Sequence, residues 1–544
     1  MNGAELVAEI LKREGTEFLS CYPRNPLIEA CSQLDIRPIL CRQERVGVGM
    51  ADGFSRIRRG RQIGVFAAQH GPGIENAFPG VAQAFSENVP LLMLPAGFPL
   101  GQQYKEPTFR AAEVFAPVSK WSAMAHSVQE LPDLLRRAYH LMRSGKSGPV
   151  MIEIPVNVYD QEFEGVLDYE PVPPVRMAPD PAAVTEAVKM LLAAKSPIVW
   201  AGAGIHYAEA WDALAEFAEA LPAPVMTTNP GKSALAETHP LSLGASTRSR
   251  PKMVSEFMGR ADVVFAVGSS LTQSNFNPAM PPGKTIIHST NEPADINKDF
   301  RAALGLPGDA RLVLEALTAE IAGQRSEPAT AKADALKSEI ALIKAQWKSD
   351  WAVQLDSDEE PLNQYRVLRD LMATVDRDNT IVTHDSGSPR EQTLPFWETT
   401  VPGSYMGWGK STQLGYGLGL NIGAKLAAPG KLCINIMGDA AIGMTGMDIE
   451  TAARNDIGTL TIVFNNGIMA AERDVLVGST QKYGTLTVGG DYSRVAAGLG
   501  LASNRVERPA DIVPAIREAV AVTETGKPYL LEFVVKEGRD FSRE

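Results

Sequence analysis

Short apolar runs that favour β-strands alternate with helix-patterned segments in three stretches of this chain. Alternation of this kind is typical of parallel sheets, because two parallel strands need a long crossover between them, which is usually a helix. The 544 residues suggest about three domains, at roughly 100–200 residues each. We therefore predict an α/β protein of three doubly wound parallel-sheet domains.

Changes in composition place the boundaries between these domains. The segment Tyr169–Pro181 holds five prolines, which indicates a linker. Gln324–Glu360 is charged and rich in Ala and Lys, which predicts a connecting helix on the surface. We therefore predict domains at 1–168, 180–322 and 361–544. Their strand-like runs are Gln62–Ala68, Pro90–Leu94 and Gly148–Pro155, then Pro197–Gly204, Asp262–Gly268 and Thr285–His288, then Thr380–Thr383, Leu432–Met437, Thr459–Phe464 and Tyr529–Val535.

Charge and composition exclude several classes of partner. The formal net charge of −12 argues against wholesale binding of nucleic acid, which needs a basic face. No stretch reaches about 18 uninterrupted apolar residues, so we expect no membrane span. The N-terminus lacks the apolar core of a signal peptide, and the four cysteines show no CxxC spacing, so we expect free thiols in a cytoplasmic protein.

Two polar turns follow strand-like runs in the third predicted domain. One run leads into Gly438-Asp439-Ala440-Ala441, and the next leads into Asn465-Asn466-Gly467. A helical segment between them could return the chain to a neighbouring strand, which would place a carboxylate and an amide oxygen at one sheet edge. Mg²⁺ prefers such oxygen ligands, and the helix after Asp439 would offer backbone N–H groups to phosphate. Each tripeptide alone could equally be an ordinary turn.

Gly438-Asp439-Ala440 followed by Asn465-Asn466 resembles the Gly-Asp-Gly…Asn-Asn signature of thiamine diphosphate enzymes. The resemblance implies that Mg²⁺ is bound by Asp439, Asn466 and the backbone carbonyl of Ile468. Ala440 departs from the last glycine of the signature, and its methyl group could change how closely the backbone approaches the diphosphate. The residues implied to contact thiamine diphosphate here are Gly438, Asp439, Ala440, Ala441, Asn466, Ile468 and Met469.

Thiamine chemistry also needs a carboxyl group at the pyrimidine ring, because it favours the imino tautomer that removes the proton from C2. Gln43–Arg56 begins a predicted helix after the strand-like Arg37–Cys41 and is similar to the family segment that carries this glutamate. The resemblance implies that Glu44 is catalytic and binds the cofactor. Taken alone, Glu44 would be a carboxylate favoured by the first turn of a helix.

Lys410–Ala427 is similar to the family segment that bends the cofactor. The resemblance implies that the cofactor folds over Leu414 and that the Thr412 carbonyl accepts from the pyrimidine amine. Taken alone, Leu414 could equally be a core residue. The loop after the strand-like Thr380–Thr383 could supply further diphosphate contacts through Ser386, Gly387 and Ser388.

The resemblance extends over nearly the whole chain. The first domain resembles the pyrimidine-binding domain of acetolactate synthase and benzoylformate decarboxylase, and Asn229–Lys232 with His239–Gly244 resembles the central domain of the acetolactate synthase group. It implies a pyrimidine-binding, a central Rossmann-like and a diphosphate-binding domain. It also implies a homodimer whose two chains form each active site, in a homotetramer. Small residues of the helix after Glu44 would suit that interface, namely Gly47, Gly49, Ala51 and Gly53.

The loops expected at the substrate depart from any one relative. Tyr22–Pro26 replaces the family's Gly-Pro-Gly, and His70 stands where acetolactate synthases commonly have a small residue. Benzoylformate decarboxylase has a functional histidine in a similar place, so His70 could move protons at the substrate, or it could be a structural histidine. Arg110 could bind a substrate carboxylate or lie on the surface. Glu472, just after the metal loop, is another candidate for a substrate contact.

Bound FAD is not expected. The central domain has the glycine turn Gly202-Ala203-Gly204, but Gly-x-Gly alone is a common turn. Flavin-binding relatives carry an arginine after a later strand, where this chain has Gly268–Thr272.

Three functions remain open. The first is cleavage of the C–C bond next to the carbonyl of a 2-oxo acid, followed by ligation to an aldehyde or ketone, as in acetolactate synthases. The second is non-oxidative decarboxylation of a 2-oxo acid, which His70 favours. The third is a non-catalytic protein that binds thiamine diphosphate or a nucleotide, which Ala440 and the altered loop Tyr22–Pro26 would explain. The sequence does not name the substrate.

Overall fold

Three parallel sheets covered by helices make up the protein. The computed structural model describes residues 1–274, 280–324 and 330–543. Within them the sheets have seven, six and six strands, and their paired strands run parallel. The predicted α/β class with three doubly wound parallel sheets is confirmed.

The first sheet is built from the N-terminal part of the chain. Its strands are β1 (Phe18–Cys21), β2 (Arg37–Leu40), β3 (Gly64–Ala67), β4 (Leu91–Met93), β5 (Ala96–Gly97), β6 (Trp121–Met124) and β7 (Pro149–Pro155). They are ordered β2-β1-β3-β4-β7-β5, with β6 paired to β7. The helices are α1 (Gly3–Arg13), α2 (Leu27–Gln33), α3 (Glu44–Ile57), α4 (Pro72–Ser86), α5 (Ala111–Phe115), α6 (Leu131–Met142) and α7 (Val156–Tyr159). Helices cover both faces of the sheet, so β3 and β7 are buried along their whole length.

The second sheet follows the proline-rich linker. Its strands are β8 (Pro197–Ala201), β9 (Val225–Thr228), β10 (Ser242–Ser246), β11 (Val263–Val267), β12 (Thr285–Ser289) and β13 (Leu304–Gly305). They are ordered β10-β9-β8-β11-β12-β13, so the direction of winding reverses between β8 and β11. The helices are α8 (Pro181–Ala193), α9 (Gly204–Tyr207), α10 (Trp211–Ala220), α11 (Lys252–Arg260) and α12 (Ala310–Gln324).

The connecting segment forms α13 (Thr330–Asp350) and α14 (Ala352–Leu355). Helix α13 lies largely on the surface, as expected, but Ile340 and Trp347 are buried and anchor it. Trp347 stacks on Phe396 with ring centroids 4.8 Å apart, and its Nε1 donates to Ser542 Oγ at 2.9 Å. Because these two apolar residues are widely spaced among charged ones, the composition of the segment does not reveal them. In the residues that the structure describes, no helix combines the length and the apolar character of a membrane span.

The third sheet carries the predicted phosphate and metal motifs. Its strands are β14 (Thr380–His384), β15 (Tyr405–Met406), β16 (Leu432–Gly438), β17 (Thr459–Asn465), β18 (Ala502–Val506) and β19 (Tyr529–Val534). They are ordered β15-β14-β16-β17-β19-β18, so the carboxyl ends of β14, β16 and β17 meet at one edge. The helices are α15 (Gln364–Thr374), α16 (Ser388–Phe396), α17 (Tyr416–Ala427), α18 (Asp439–Thr445), α19 (Ile449–Arg454), α20 (Val477–Tyr483), α21 (Tyr492–Gly498) and α22 (Ile512–Glu524).

Helix α3 packs directly on α17 of the same chain. A β-carbon built on Gly53 would lie 2.3 Å from the Leu420 carbonyl oxygen, and one built on Gly423 would lie 2.1 Å from the Met50 carbonyl oxygen. The two backbones therefore approach more closely than any residue with a side chain allows. The small residues of α3, expected at an interface between chains, here include glycines that pack on a helix of the same chain.

Replacing Gly53 by alanine is expected to destabilise the protein, because the new methyl group would collide with the Leu420 carbonyl and force α3 away from α17. Overpacking of this kind costs about 1–3 kcal/mol, so the melting temperature should fall measurably in a calorimetric scan. Gly259→Ala in α11 is the control, since a β-carbon there meets no atom within 4 Å. Equal melting temperatures for Gly53→Ala and the wild type would contradict the close packing.

Candidate functional site

The carboxyl ends of β16 and β17 bring Asp439 and Asn466 together. The two strands are parallel neighbours, paired up to Gly438 with Phe464. The Asp439 carboxylate accepts from the backbone N–H of Asn466 at 3.1 Å and from that of Gly467 at 2.7 Å. The carboxylate therefore ties the two strand ends to each other, as the positions of the two motifs led us to expect.

Burial and backbone donors act in opposite directions on the Asp439 carboxyl. The residue is 4% exposed, and burial raises its pKa above the ordinary value. The N–H groups of Ala440, Gly467 and Asn466 lower this pKa, because they stabilise the charged form. A bound cation would stabilise the charged form further, so the site is suited to a positive ion.

The other oxygen atoms near Asp439 also suit a hard cation. Asn466 presents an amide oxygen, which accepts from the N–H of Ile468 at 3.1 Å, and Gly467 between them turns the chain with φ of +72°. In the described ranges 1–274, 280–324 and 330–543, no group of three or more His, Cys, Asp or Glu side chains could hold a metal ion. A cation at Asp439 would therefore need amide, carbonyl and phosphate oxygens as its other ligands, which is how Mg²⁺ is usually bound beside phosphates.

Two helices begin beside Asp439. α18 follows Gly438, and α16 follows Gly387, whose φ is +85°. Both N-cap residues are glycines, and in the first turn of α18 the Ala440 N–H donates to Asp439 Oδ1 at 2.7 Å. The remaining backbone N–H groups at the two N-termini can meet an anion. Among the described residues, a β-carbon built on Gly387 meets no atom within 4 Å, and one on Gly438 comes near only Pro389, at 3.7 Å. This open space between two helix N-termini, next to a cation site, fits a diphosphate.

The other residues predicted at the diphosphate differ in what they can offer. The Ala441 side chain is buried in the apolar core, so only its backbone could face a ligand. Ser386 is also buried, and its N–H donates to Asp385 at 2.8 Å. Ser388 is half-buried as the first residue of α16, and Met469 is half-buried with its N–H donating to the Leu486 carbonyl at 2.9 Å.

Asp385 holds the loop before α17, a role that the sequence analysis missed. Its carboxylate oxygens accept from Gly415 N–H at 2.8 Å and from Gly417 N–H at 2.9 Å. Burial raises the pKa of Asp385 to about 6, against the opposing effect of these donors and of Arg45. The available signal was its position directly after β14, which matches the position of Asp439 directly after β16.

The loop Thr412–Leu414 lies against the start of α3. Thr412 has φ of +47°, which is rare for a β-branched residue. Leu414 is half-buried against the apolar core that α3 and α17 share, and its carbonyl accepts from Arg45 Nη2. Because Arg45 directly follows Glu44, the structure brings the two segments predicted at the pyrimidine ring close to each other.

Glu44 is buried as the first residue of α3. Its Oε2 accepts from Asn76 Nδ2, and its Oε1 lies 3.6 Å from a β-carbon built on Gly73. The carboxylate therefore sits where α3 and α4 both begin, and Asn76 is a partner that the sequence analysis missed. These contacts lie within one chain. The sharing of the site between two chains stays a prediction.

His70 follows β3 closely and lies beyond the carboxyl end of that strand. Its ring packs on Phe98 with centroids 4.3 Å apart. Among the described residues, its buried Nδ1 has no hydrogen-bond partner. This nitrogen is therefore available to a ligand or to water, and both predicted roles of His70 stay predictions.

The two substrate candidates lie on the surface. Arg110 is exposed at the start of α5 and pairs with Glu113 at 3.1 Å. Glu472 is exposed in the short turn Ala470–Glu472 after the Asn466 loop. The altered loop Tyr22–Pro26 contains the buried Asn25, whose Nδ2 donates to the Ala68 and Leu94 carbonyls at 3.1 and 2.9 Å. That part of the loop is therefore structural.

A cavity of about 880 Å³ opens at the switch point of the second sheet. Its walls include Arg390 and Lys410 from the third domain. A β-carbon built on Gly202 would lie 2.4 Å from the Gly268 carbonyl oxygen. The glycine turn is therefore explained by contact between two loops, and the prediction that FAD is not bound stays a prediction.

Comparison with family models gives three matches along the chain. They are the thiamine pyrophosphate enzyme N-terminal TPP binding domain over residues 1–115, the central domain over 184–317 and the C-terminal TPP binding domain over 385–533. The third match includes Asp385, Asp439 and Asn466, and the first includes Glu44.

Curated proteins similar to this chain cover nearly all of it. A probable acetolactate synthase large subunit of Methanococcus aeolicus is 29% identical, over 98% of this chain and 92% of its own length. The acetolactate synthase isozyme 3 large subunit of Escherichia coli is 26% identical, over 98% and 95%. A probable 2-ketoarginine decarboxylase of Pseudomonas aeruginosa is 30% identical, over 88% and 83%. The chain therefore belongs to the thiamine pyrophosphate enzyme family and is a thiamine diphosphate-dependent enzyme.

Proposed function

We propose that this enzyme uses Mg²⁺ with thiamine diphosphate to cleave the C–C bond next to the carbonyl of a 2-oxo acid and to join the acyl fragment to a second carbonyl, in an aldehyde or ketone. The observation that carries the proposal is the Asp439 carboxylate, which holds the Asn466 loop at the common edge of β16 and β17. The relatives named acetolactate synthase support this class of reaction.

Metal and diphosphate would be held at the edge of the third sheet. Asp439, Asn466 and the carbonyl of Ile468 would bind Mg²⁺, which takes its remaining ligands from phosphate and water. The N–H groups after Gly387 and Gly438 would bind the diphosphate, because the positive ends of α16 and α18 both face the open space there.

The pyrimidine ring would lie between the start of α3 and the loop before α17. When bound, thiamine diphosphate supplies a nucleophilic ring carbon and an electron sink for the bond that breaks. Glu44 would hold a proton at the pyrimidine N1′, and its burial strengthens that hydrogen bond. The Thr412 carbonyl would accept from the pyrimidine amine, and Leu414 would support the bent shape of the cofactor.

Simple decarboxylation is the second candidate, and His70 favours it. Within the described residues the buried Nδ1 of His70 has no protein partner, so it is available to the substrate in a reaction that replaces carbon dioxide by a proton. The relative named a probable 2-ketoarginine decarboxylase supports this alternative. Arg110 and Glu472 remain substrate candidates on their sequence positions alone. Neither reaction transfers net electrons, so neither uses FAD as an oxidant or reductant.

We also propose that a second chain completes each active site that the first chain builds, and that dimers pair into a tetramer. Met444 and Met447, in and just after the helix that begins at Asp439, are 49% and 50% exposed. Exposed apolar side chains beside a predicted active site suit coverage by a partner chain.

Replacing Glu44 by glutamine should stop turnover and spare cofactor binding. Glutamine fits the same space but cannot hold the proton, and loss of general acid–base catalysis costs about 10²–10⁴-fold in kcat. Steady-state kinetics and calorimetric titration with Mg²⁺ and thiamine diphosphate would measure the two effects. Glu29→Gln is the control, because Glu29 is an exposed glutamate of α2 in the same domain. Unchanged turnover in Glu44→Gln would sink the assignment.

Replacing Asp439 by alanine should abolish the Mg²⁺-dependent part of cofactor binding. The substitution removes a metal ligand and frees the Asn466 loop, so the dissociation constant for thiamine diphosphate should rise by about 100-fold or more. Asp511→Ala, in a surface turn of the same domain where the half-buried Asp511 pairs with Arg508, should leave it unchanged. Normal affinity in Asp439→Ala would show that the cation binds elsewhere.

Product analysis should separate the two candidate reactions. Pyruvate, benzoylformate and glyoxylate would each be supplied with and without an aldehyde acceptor. We expect carbon dioxide release from at least one acid and a ligated product once the acceptor is present. Release with aldehyde as the sole product, lost in His70→Phe, would instead identify the decarboxylase.

A further inference from the structure

We propose that Glu87 and Gln83 are positioning residues, which fix the loop 409–414 from the first domain and so set the Thr412 carbonyl and the Leu414 side chain. The inference rests on the proposed function, because that function assigns these two groups to the pyrimidine ring. Neither Glu87 nor Gln83 needs to touch the cofactor.

Glu87 holds the beginning of the loop. Glu87 is the C-cap residue that directly follows α4, and it is 4% exposed. Its Oε1 accepts from the backbone N–H of Gly409 at 2.8 Å and from that of Lys410 at 2.6 Å. One buried oxygen thus accepts from two successive backbone N–H groups, so this end of the loop is firmly placed.

Gln83 holds the other end of the loop. It is fully buried, and its Oε1 accepts from the Gln413 N–H at 3.2 Å. The Gln413 side chain donates in turn to the Pro79 carbonyl at 2.6 Å. Pro79, Gln83 and Glu87 are spaced by four residues and therefore lie on one face of α4. One helix face thus holds the loop on both sides of Thr412.

Thr412 is the residue that this arrangement constrains. Its φ of +47° is unfavourable for a β-branched residue, so it persists only where the surroundings impose it. Beyond it, Arg45 Nη2 donates to the Leu414 carbonyl, and Asp385 accepts from Gly415. Those contacts hold the end of the loop and the residue before α17, whereas α4 holds the residues on both sides of Thr412.

The Glu87 side chain is energetically unfavourable for a contact that serves stability alone. Within the described residues its second carboxylate oxygen, Oε2, is buried without a hydrogen-bond partner. A buried oxygen without a partner costs free energy, because it loses the hydrogen bonds that water would make. We therefore attribute this side chain to the acceptor that its Oε1 gives Gly409 and Lys410, rather than to a gain in stability.

The test compares Glu87→Leu with Glu87→Gln in the full-length protein loaded with Mg²⁺ and thiamine diphosphate. Leucine removes the acceptor, whereas glutamine keeps an oxygen for Gly409 and Lys410. The readouts are exchange of the thiazolium C2 proton for deuterium, the near-ultraviolet circular dichroism of the bound pyrimidine, and cofactor affinity by calorimetry. In Glu87→Leu we expect exchange to slow by about 10- to 100-fold, with the dissociation constant changed less than about threefold, because misplaced groups cost rate more than binding. Glu87→Gln should restore most of the exchange rate.

Gln83→Met provides a second test should Glu87→Leu fail to fold. It removes the acceptor for Gln413 without burying a new polar group, and it should also slow C2 exchange. Wild-type exchange in whichever of the two variants folds would overturn the proposal, as would equal slowing in Glu87→Leu and Glu87→Gln. Failure of the proposed function has a different signature, because wild-type protein itself would then not accelerate C2 exchange above that of the free cofactor.

Discussion

The close packing of α3 on α17 is the contact on which the rest of the candidate site depends. Glu44 is the first residue of α3, and Leu414 lies two residues before α17 begins. Their relative position is therefore set by how these two helices cross. Because Gly53 meets the Leu420 carbonyl without an intervening side chain, the helices cannot slide or separate without losing backbone contact. A site carried by the ends of two such helices is more rigid than one carried by loops.

A buried polar cluster fixes the register of the same two helices. Asp52 of α3 accepts from Arg56 at 2.5 Å and from the Tyr416 hydroxyl at 2.8 Å, and Arg56 also donates to the Gly407 carbonyl at 3.1 Å. Burial raises the pKa of Asp52, and Arg56 opposes this shift. A buried ion pair adds little net stability, but removal of one partner typically costs about 3–5 kcal/mol. The cluster therefore makes any packing of α3 on α17 that separates Asp52 from Tyr416 unfavourable, even though it adds little to the net free energy of unfolding.

The sequence predicts the fold class and the strand ends well, because these depend on local patterns. Parallel strands buried on both faces are near-continuous apolar runs, and Asp439 and Asn466 follow two of them directly. The side chains that hold the loops of the site in place were missed, because their contacts join distant parts of the chain. Glu87 reaches Lys410 across 323 positions, and no local pattern marks it. Asn76 and Trp347 were missed for the same reason, since a helix position shows which face is apolar but not which distant residue it meets.

Ala440, which replaces the last glycine of the family signature, is compatible with this geometry. It is the second residue of α18, where the backbone is helical and alanine is favoured over glycine by about 1 kcal/mol. Its N–H donates to Asp439 Oδ1 at 2.7 Å, so this donor already stabilises the carboxylate. A β-carbon in the first turn of a helix is directed towards the N-terminus, which here is the side of the open space. The methyl group is therefore directed to the side on which a diphosphate would bind, while the carboxylate and the Asn466 loop that would hold the cation are left as they are.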